Sequence, residues 1–278
     1  MDQPVFPLDK PVEPGVTALS EGPANILEGA WPDRSYKRVS RLELHTFRVP
    51  EPRAMALVYA GGGYVQLVHD KEGIETALWL NSLGLDAHVV VHRLPGAAAP
   101  DGGVFPKDIA LRDGLACLDH LASQDLGLPL FHVGLSSGGH LAGVMACQDH
   151  ALCARGAIIA YAPINANHRD HKAPAGKPDY PPAEKQDFYN DWPVGIAALP
   201  HGMPEIPVFL AYALHDQAVP VDHVLNMVKS AQALGRDVDA HIFGQAPHGF
   251  ALRDTGGTHA LWPDLAKDWI ARQLAVAA

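Results

Sequence analysis

Cysteine is scarce. Cys117, Cys147 and Cys153 are the only three in 278 residues, an odd number without metal-type spacing. That excludes a disulfide framework and a thiolate metal site. They read as inert thiols, with a Cys147–Cys153 bridge as the alternative. Long hydrophobic runs are also missing, so no segment can span a bilayer as a helix. Met1 to Pro7 has neither the basic start nor the apolar core of a signal peptide. The expectation is a cytoplasmic chain with no membrane partner, although removal of a leader would leave the same start. Positive charge is in deficit: 21 Lys and Arg stand against 31 Asp and Glu, a formal charge of −10. Nucleic acid and anionic membrane are thereby excluded as main partners. There is no internal repeat.

What remains is a globular balance, 47% apolar and 19% charged, in a chain long enough for a sizeable core. It suits one large α/β domain carrying an insertion. Residues 1–35, rich in Pro, Gly and acidic side chains, show no clear period and read as an N-terminal arm over a domain of residues 36–278. Tyr36 to Val49 alternates, which predicts one or two early strands at the sheet edge. Ala54 to Ala60, Asp86 to His92, Leu130 to Gly134, Gly156 to Tyr161 and Val208 to Ala213 are continuous apolar runs of the kind buried on both sheet faces. Val238 to Phe243 alternates as a last strand. Helical spacing recurs over Glu72–Leu83, Lys107–Leu121, Val221–Leu234 and Leu261–Leu274. Strands alternating with helices predict a mostly parallel central sheet flanked by helices on both faces.

The pattern breaks at residues 163–207, where prolines, charges and scattered aromatics replace apolar runs. So long a connection predicts a cap or lid insertion. His168 and His171 lie within it and read as exposed lid histidines, because no third metal ligand is evident. No metal site is expected. Trp192, also in the cap, is a candidate stacking wall for a substrate ring, with packing against the core as the alternative.

Two glycine-rich stretches carry chemistry. Leu130–Val133 runs into Gly134-Leu135-Ser136-Ser137-Gly138 and then into a small-residue helix. A Gly-x-Ser-x-Gly between strand and helix is the setting of a nucleophile elbow, in which a strained turn lifts the serine hydroxyl out of the sheet. Ser136 is the candidate nucleophile, and the Ser137 N–H at the helix start can face an oxyanion beside it. Gly61-Gly62-Gly63-Tyr64 follows a central strand. It offers the N–H groups of Gly62 and Gly63 as the other half of an oxyanion hole, with Tyr64 as a candidate substrate contact.

A hydroxyl needs a base, and the base needs a carboxylate to orient it. Asp216 and His248 each follow a predicted strand, at the carboxyl ends where crevices of open α/β sheets form. Asp187 and Asp191 in the cap and Asp222 at a helix start are the competing acids. His140 is expected to lie beneath the elbow and support it, and His215 to be a packing neighbour.

The order Ser136, Asp216, His248 is that of the α/β-hydrolases. On Gly61 to Tyr64, Glu72-Gly73, Ala77 to Leu80, Gly134 to Ala142, Asp216 to Val221 and His248-Gly249-Phe250, the chain resembles α/β-hydrolase carboxylesterases. The group with acetylxylan and feruloyl esterases is nearest. The resemblance covers roughly residues 40–275 and departs at Ala60, His215 and Gln245-Ala246-Pro247. It implies the α/β-hydrolase fold and a serine hydrolase acting on short or aromatic acyl esters, small or carbohydrate-linked, without cofactor. An arylformamidase-like amidase and a non-catalytic ligand receptor on the same fold are the rival readings. Oligomeric state is left open.

Overall fold

The computed structural model describes residues 4–165, 180–197 and 202–276. Eight strands form one sheet: β1 (Gly15–Ala18), β2 (Glu43–Phe47), β3 (Ala54–Tyr59), β4 (Leu85–Val91), β5 (Leu130–Leu135), β6 (Ala154–Ala160), β7 (Val208–Ala213) and β8 (Val238–Phe243). Their spatial order is β1-β2-β4-β3-β5-β6-β7-β8. The β1–β2 and β2–β4 pairs are antiparallel and all others parallel. With helices on both faces this is the α/β-hydrolase fold.

The apolar runs sit in the centre because both faces of each strand are covered. Along β3, Met55, Leu57 and Tyr59 enter one core cluster while Ala54, Ala56 and Val58 enter the other. β7 divides the same way, Val208, Leu210 and Tyr212 against Phe209, Ala211 and Ala213. The first cluster is closed by α2 (Ile109–Ala122), α3 (Ser137–Ala146), α4 (Ala183–Asp191) and α5 (Asp222–Leu234). The second is closed by α1 (Glu75–Ser82) and α6 (Trp262–Ala275), whose Trp79, Trp262 and Trp269 are almost fully buried. Among the described residues no helix is long and apolar enough to cross a membrane.

β1 lies within the stretch read as an arm. All four of its residues are exposed, so it carries no hydrophobic alternation. Its place is set by backbone pairing to β2 alone. The arm is also tied down by Trp31 Nε1 donating to the Leu8 carbonyl at 2.9 Å and by Arg34 on the buried Asp70. The helix expected from Glu72 begins earlier, as a π-helical turn over His69–Ile74 that feeds α1.

Register places the site. Tyr59 at the end of β3 is level with Gly134 in β5, so Gly61 and Ser136, each two residues on, are neighbours. Ala213 at the end of β7 is level with Phe243 in β8, which brings the following loops, with Asp216 and His248, to the same edge.

Candidate active site

Ser136 has φ 51° and ψ −127°, a left-handed region that β-substituted residues avoid. Its neighbours make the turn possible. A Cβ on Gly134 would lie 2.1 Å from the Gly138 carbonyl oxygen, and one on Gly138 would lie 2.0 Å from the Tyr59 carbonyl oxygen. Strand, elbow and α3 therefore interlock at backbone distance. Gly61 is held as tightly, since a Cβ there would meet Ser136 Cβ at 2.7 Å.

Ser136 Oγ lies 3.2 Å from His248 Nε2, and His248 Nδ1 lies 2.7 Å from Asp216 Oδ2. A carboxylate only accepts, so Nδ1 carries the proton and leaves Nε2 to accept from the serine hydroxyl. The Asp216 side chain is 1% exposed and the His248 ring 31% exposed. Burial raises the Asp216 carboxyl pKa. The His248 bond and the N–H groups of Val219 and Ala218, donated to Oδ1, outweigh it and hold the carboxyl below its ordinary range. The arrangement can draw the proton from a hydroxyl and stabilise the imidazolium that results.

The competing acids stand elsewhere. Asp191 pairs with Lys107, while Asp187 and Asp222 are exposed on α4 and α5. His215 is exposed beside the site. His168 and His171 lie outside the described residues.

The glycine loop brings one correction. Gly63 N–H donates to Ser137 Oγ at 2.8 Å, so it is engaged before any ligand arrives. The N–H groups of Gly62 and Ser137 make no hydrogen bond among the described residues and are the pair left for an oxyanion.

Tyr64 and Trp192 bring the second. Neither lines the cavity above Ser136. Tyr64 is 1% exposed and its hydroxyl reaches His140 Nδ1 at 2.9 Å. His140 Nε2 is 2.8 Å from the Trp192 carbonyl, an acceptor, so Nε2 bears the proton and Tyr64 donates. Burial lowers the His140 pKa to about 4 and keeps the ring neutral. The Trp192 ring packs on Phe188 at 5.3 Å. Both aromatics fasten the glycine loop, α3 and the end of α4 to one another. Aromatic identity in a loop could not reveal which way the ring would turn.

Glu72 was not singled out as a site residue, yet it lines the cavity with Ser136 and His248. Its Oε2 accepts Gly61 N–H at 2.8 Å and its Oε1 accepts the Tyr161 hydroxyl at 3.2 Å. Burial raises its pKa, opposed by the Gly61 bond, Lys71 and His248. The available signal was its position just after the glycine loop.

The cavity is about 420 Å³ and is lined by Gly62, Ser136 and His248 together with Tyr180, Lys185 and Tyr189 of the 163–207 stretch. A larger cavity of about 550 Å³ lies near Cys147, Cys153 and the first residue of β6. It sits at the amino ends of the parallel strands, away from the Ser136 edge. All three cysteines are free thiols.

The family model described as the prolyl oligopeptidase family matches residues 106–276. That is more than half of the chain and spans Ser136, Asp216 and His248. The chain belongs to the prolyl oligopeptidase family. No curated protein matches it in sequence. Among solved structures it is similar to an acetyl ester-xyloside bifunctional hydrolase from Caldicellulosiruptor lactoaceticus. The TM-score is 0.63 at 20% identity, over 94% of this chain and 96% of that one. A carboxylesterase from Lactobacillus plantarum gives 0.66 at 19% identity over 89% and 98%. A thermophilic esterase from Thermogutta terrifontis gives 0.61 at 16% identity over 95% and 92%. At these identities the likeness establishes the shared α/β-hydrolase fold.

Proposed function

We propose that this member of the family is a serine hydrolase of carboxylic esters with short or aromatic acyl groups. The reading rests above all on the hydrogen-bonded line Ser136–His248–Asp216, opening into a cavity beside two unengaged N–H groups. Ser136 attacks the ester carbonyl while His248 takes its proton, and Gly62 and Ser137 N–H receive the developing oxyanion. His248 then protonates the leaving alcohol. Water, activated by the same histidine, cleaves the acyl-enzyme. Asp216 holds the imidazole in its tautomer throughout. The described part of the cap, α4 with Tyr180, closes one side of the cavity and favours a confined acyl site over a long lipid groove.

The fold relatives, an acetyl ester-xyloside bifunctional hydrolase and two esterases, support esters over peptides. They also leave a carbohydrate-linked alcohol in view. The test is a substrate panel: p-nitrophenyl esters of rising chain length, methyl ferulate, acetylated xylan fragments, N-formylkynurenine and a prolyl p-nitroanilide. Rates should peak at acetyl to butyryl, or at the feruloyl ester. A maximum at long chains, or turnover confined to the formamide or the anilide, overturns the ester assignment. Inertness toward the whole panel favours a receptor.

A further inference from the structure

We infer that Lys185 and Tyr189 form an anion-binding subsite in this cavity, and that the substrate carries a carboxylate besides its ester. The inference rests on the cavity being the ester site, and it concerns what the α4 part of its lining recognises.

Lys185 and Tyr189 stand four apart on α4, hence on one helix face, and both line the cavity that Ser136 and His248 line. Lys185 is only 9% exposed. Its Nζ makes one hydrogen bond, to the Pro181 carbonyl at 3.1 Å, and no ion pair among the described residues. An ammonium has three N–H donors, so donors remain after that bond. Burial lowers the Lys185 pKa, as expected of a cation removed from water without an anion to compensate it.

Tyr189 is 6% exposed, and its hydroxyl makes no hydrogen bond among the described residues. Its ring is held by Tyr64 at 5.3 Å and by His140 at 4.6 Å. The tyrosine is thus fixed in place with its polar end unused. An ammonium and a hydroxyl with unused donors, on adjacent turns of one helix and both lining one cavity, suit an acceptor brought by the ligand.

The charge count selects the acceptor. Among the described residues Lys185 is the one Lys or Arg lining the cavity, and Glu72 lines it too. The site can therefore offset at most a single negative charge, which fits a carboxylate better than a phosphate dianion. The protein as a whole is at −10 and repels anions at long range, so recognition has to come from this short-range pair.

The test compares matched pairs that differ by one carboxylate. Monomethyl succinate against dimethyl succinate places the charge on the acyl side. 4-Acetoxybenzoate against methyl 4-acetoxybenzoate places it on the alcohol side. Binding is measured by calorimetry on Ser136→Ala protein, and turnover on the unsubstituted enzyme. In at least one pair the charged member should bind ten or more times tighter, with the gain in turnover appearing in KM. Lys185→Gln keeps a donor for the Pro181 carbonyl and removes the charge; it should reduce that preference at least tenfold. Lys185→Arg should retain most of it, and Tyr189→Phe, which keeps the ring, should weaken it several-fold. Equal binding within both pairs, or a preference unchanged in Lys185→Gln, overturns the subsite. Selective carboxylate binding without turnover of any ester would instead refute the esterase reading and leave the subsite standing.

Discussion

His248 Nδ1 and Asp216 Oδ2 are 2.7 Å apart, although 31 residues separate them in sequence. The contact exists because β7 and β8 end level with one another and each loop turns inward at once. Ala218 and Val219 N–H hold the other carboxylate oxygen, so the acid cannot swing away. On the proposed mechanism Asp216→Asn preserves size but lets the amide N–H face Nδ1, which selects the other tautomer. The value of kcat should fall by about 10⁴-fold, the order known for a comparable triad. Asp187→Asn and Asp191→Asn, exposed or paired to Lys107, should cost less than tenfold. Steady-state kinetics on one activated ester checks all three. Similar losses in all three would remove Asp216 from the role.

Glu72 makes a prediction about stability. Burial raises its pKa in the fold, so the folded protein binds that proton more strongly than the unfolded chain. The stability it contributes is complete below the unfolded value and is lost as pH rises through the folded one. Glu72→Gln still accepts from Gly61 and can donate to the Tyr161 oxygen. Its stability relative to the parent protein should therefore improve as pH rises from about 4.3. Urea unfolding at pH 4 and pH 8 measures it, and a difference independent of pH contradicts the account.

Three buried histidines predict the opposite slope. Burial lowers His88 to about 4, His132 to about 3 and His140 to about 4. Each folded value lies below the unfolded one. Their stability is present above about pH 6.5 and is lost as pH falls toward those values. The loss approaches about 1.4 kcal/mol per pH unit for each histidine. Unfolding near pH 5 should thus take up more protons than at pH 7.5, and His132→Gln should remove close to one of them. A flat stability profile between pH 6.5 and 4.5 would contradict this.

The sequence made the strands and the elbow legible for one physical reason. Residues buried on both sheet faces must be apolar without interruption, and a strand-to-helix turn without room for a Cβ must be glycine on both sides. Val208–Ala213 is read to the residue on that basis, and Val238–Phe243 on its alternation. β1 was not legible, because a strand exposed on every residue has no pattern to read. Tyr64 went astray because its direction depends on His140, which the fold brings from elsewhere, and Trp192 because its ring turns back onto Phe188, four residues earlier, rather than into the cavity. Glu72, named only within the resemblance, was not read as a site residue for the converse reason: its surroundings, Gly61 and Tyr161, are assembled only by the fold.

The proposed role of Gly62 is open to a direct substitution. Its φ is +131°, and a Cβ there would lie 2.2 Å from the Gln66 carbonyl oxygen. Gly62→Ala must shift the loop and its N–H away from the oxyanion position. A loss of about 10²- to 10³-fold in kcat is expected, the range for removal of one oxyanion donor. Ser137→Ala frees the Gly63 N–H and leaves the backbone donors in place, so its loss should be well below that of Gly62→Ala. The reverse order would move the oxyanion site off Gly62.

The central claim is that Ser136 is the nucleophile. The measurement is turnover of p-nitrophenyl acetate by Ser136→Ala protein whose circular dichroism and unfolding midpoint match the parent. A loss of roughly a million-fold in kcat is expected, as for other triad nucleophiles. Retention of a tenth of the parent activity would place the chemistry at another residue.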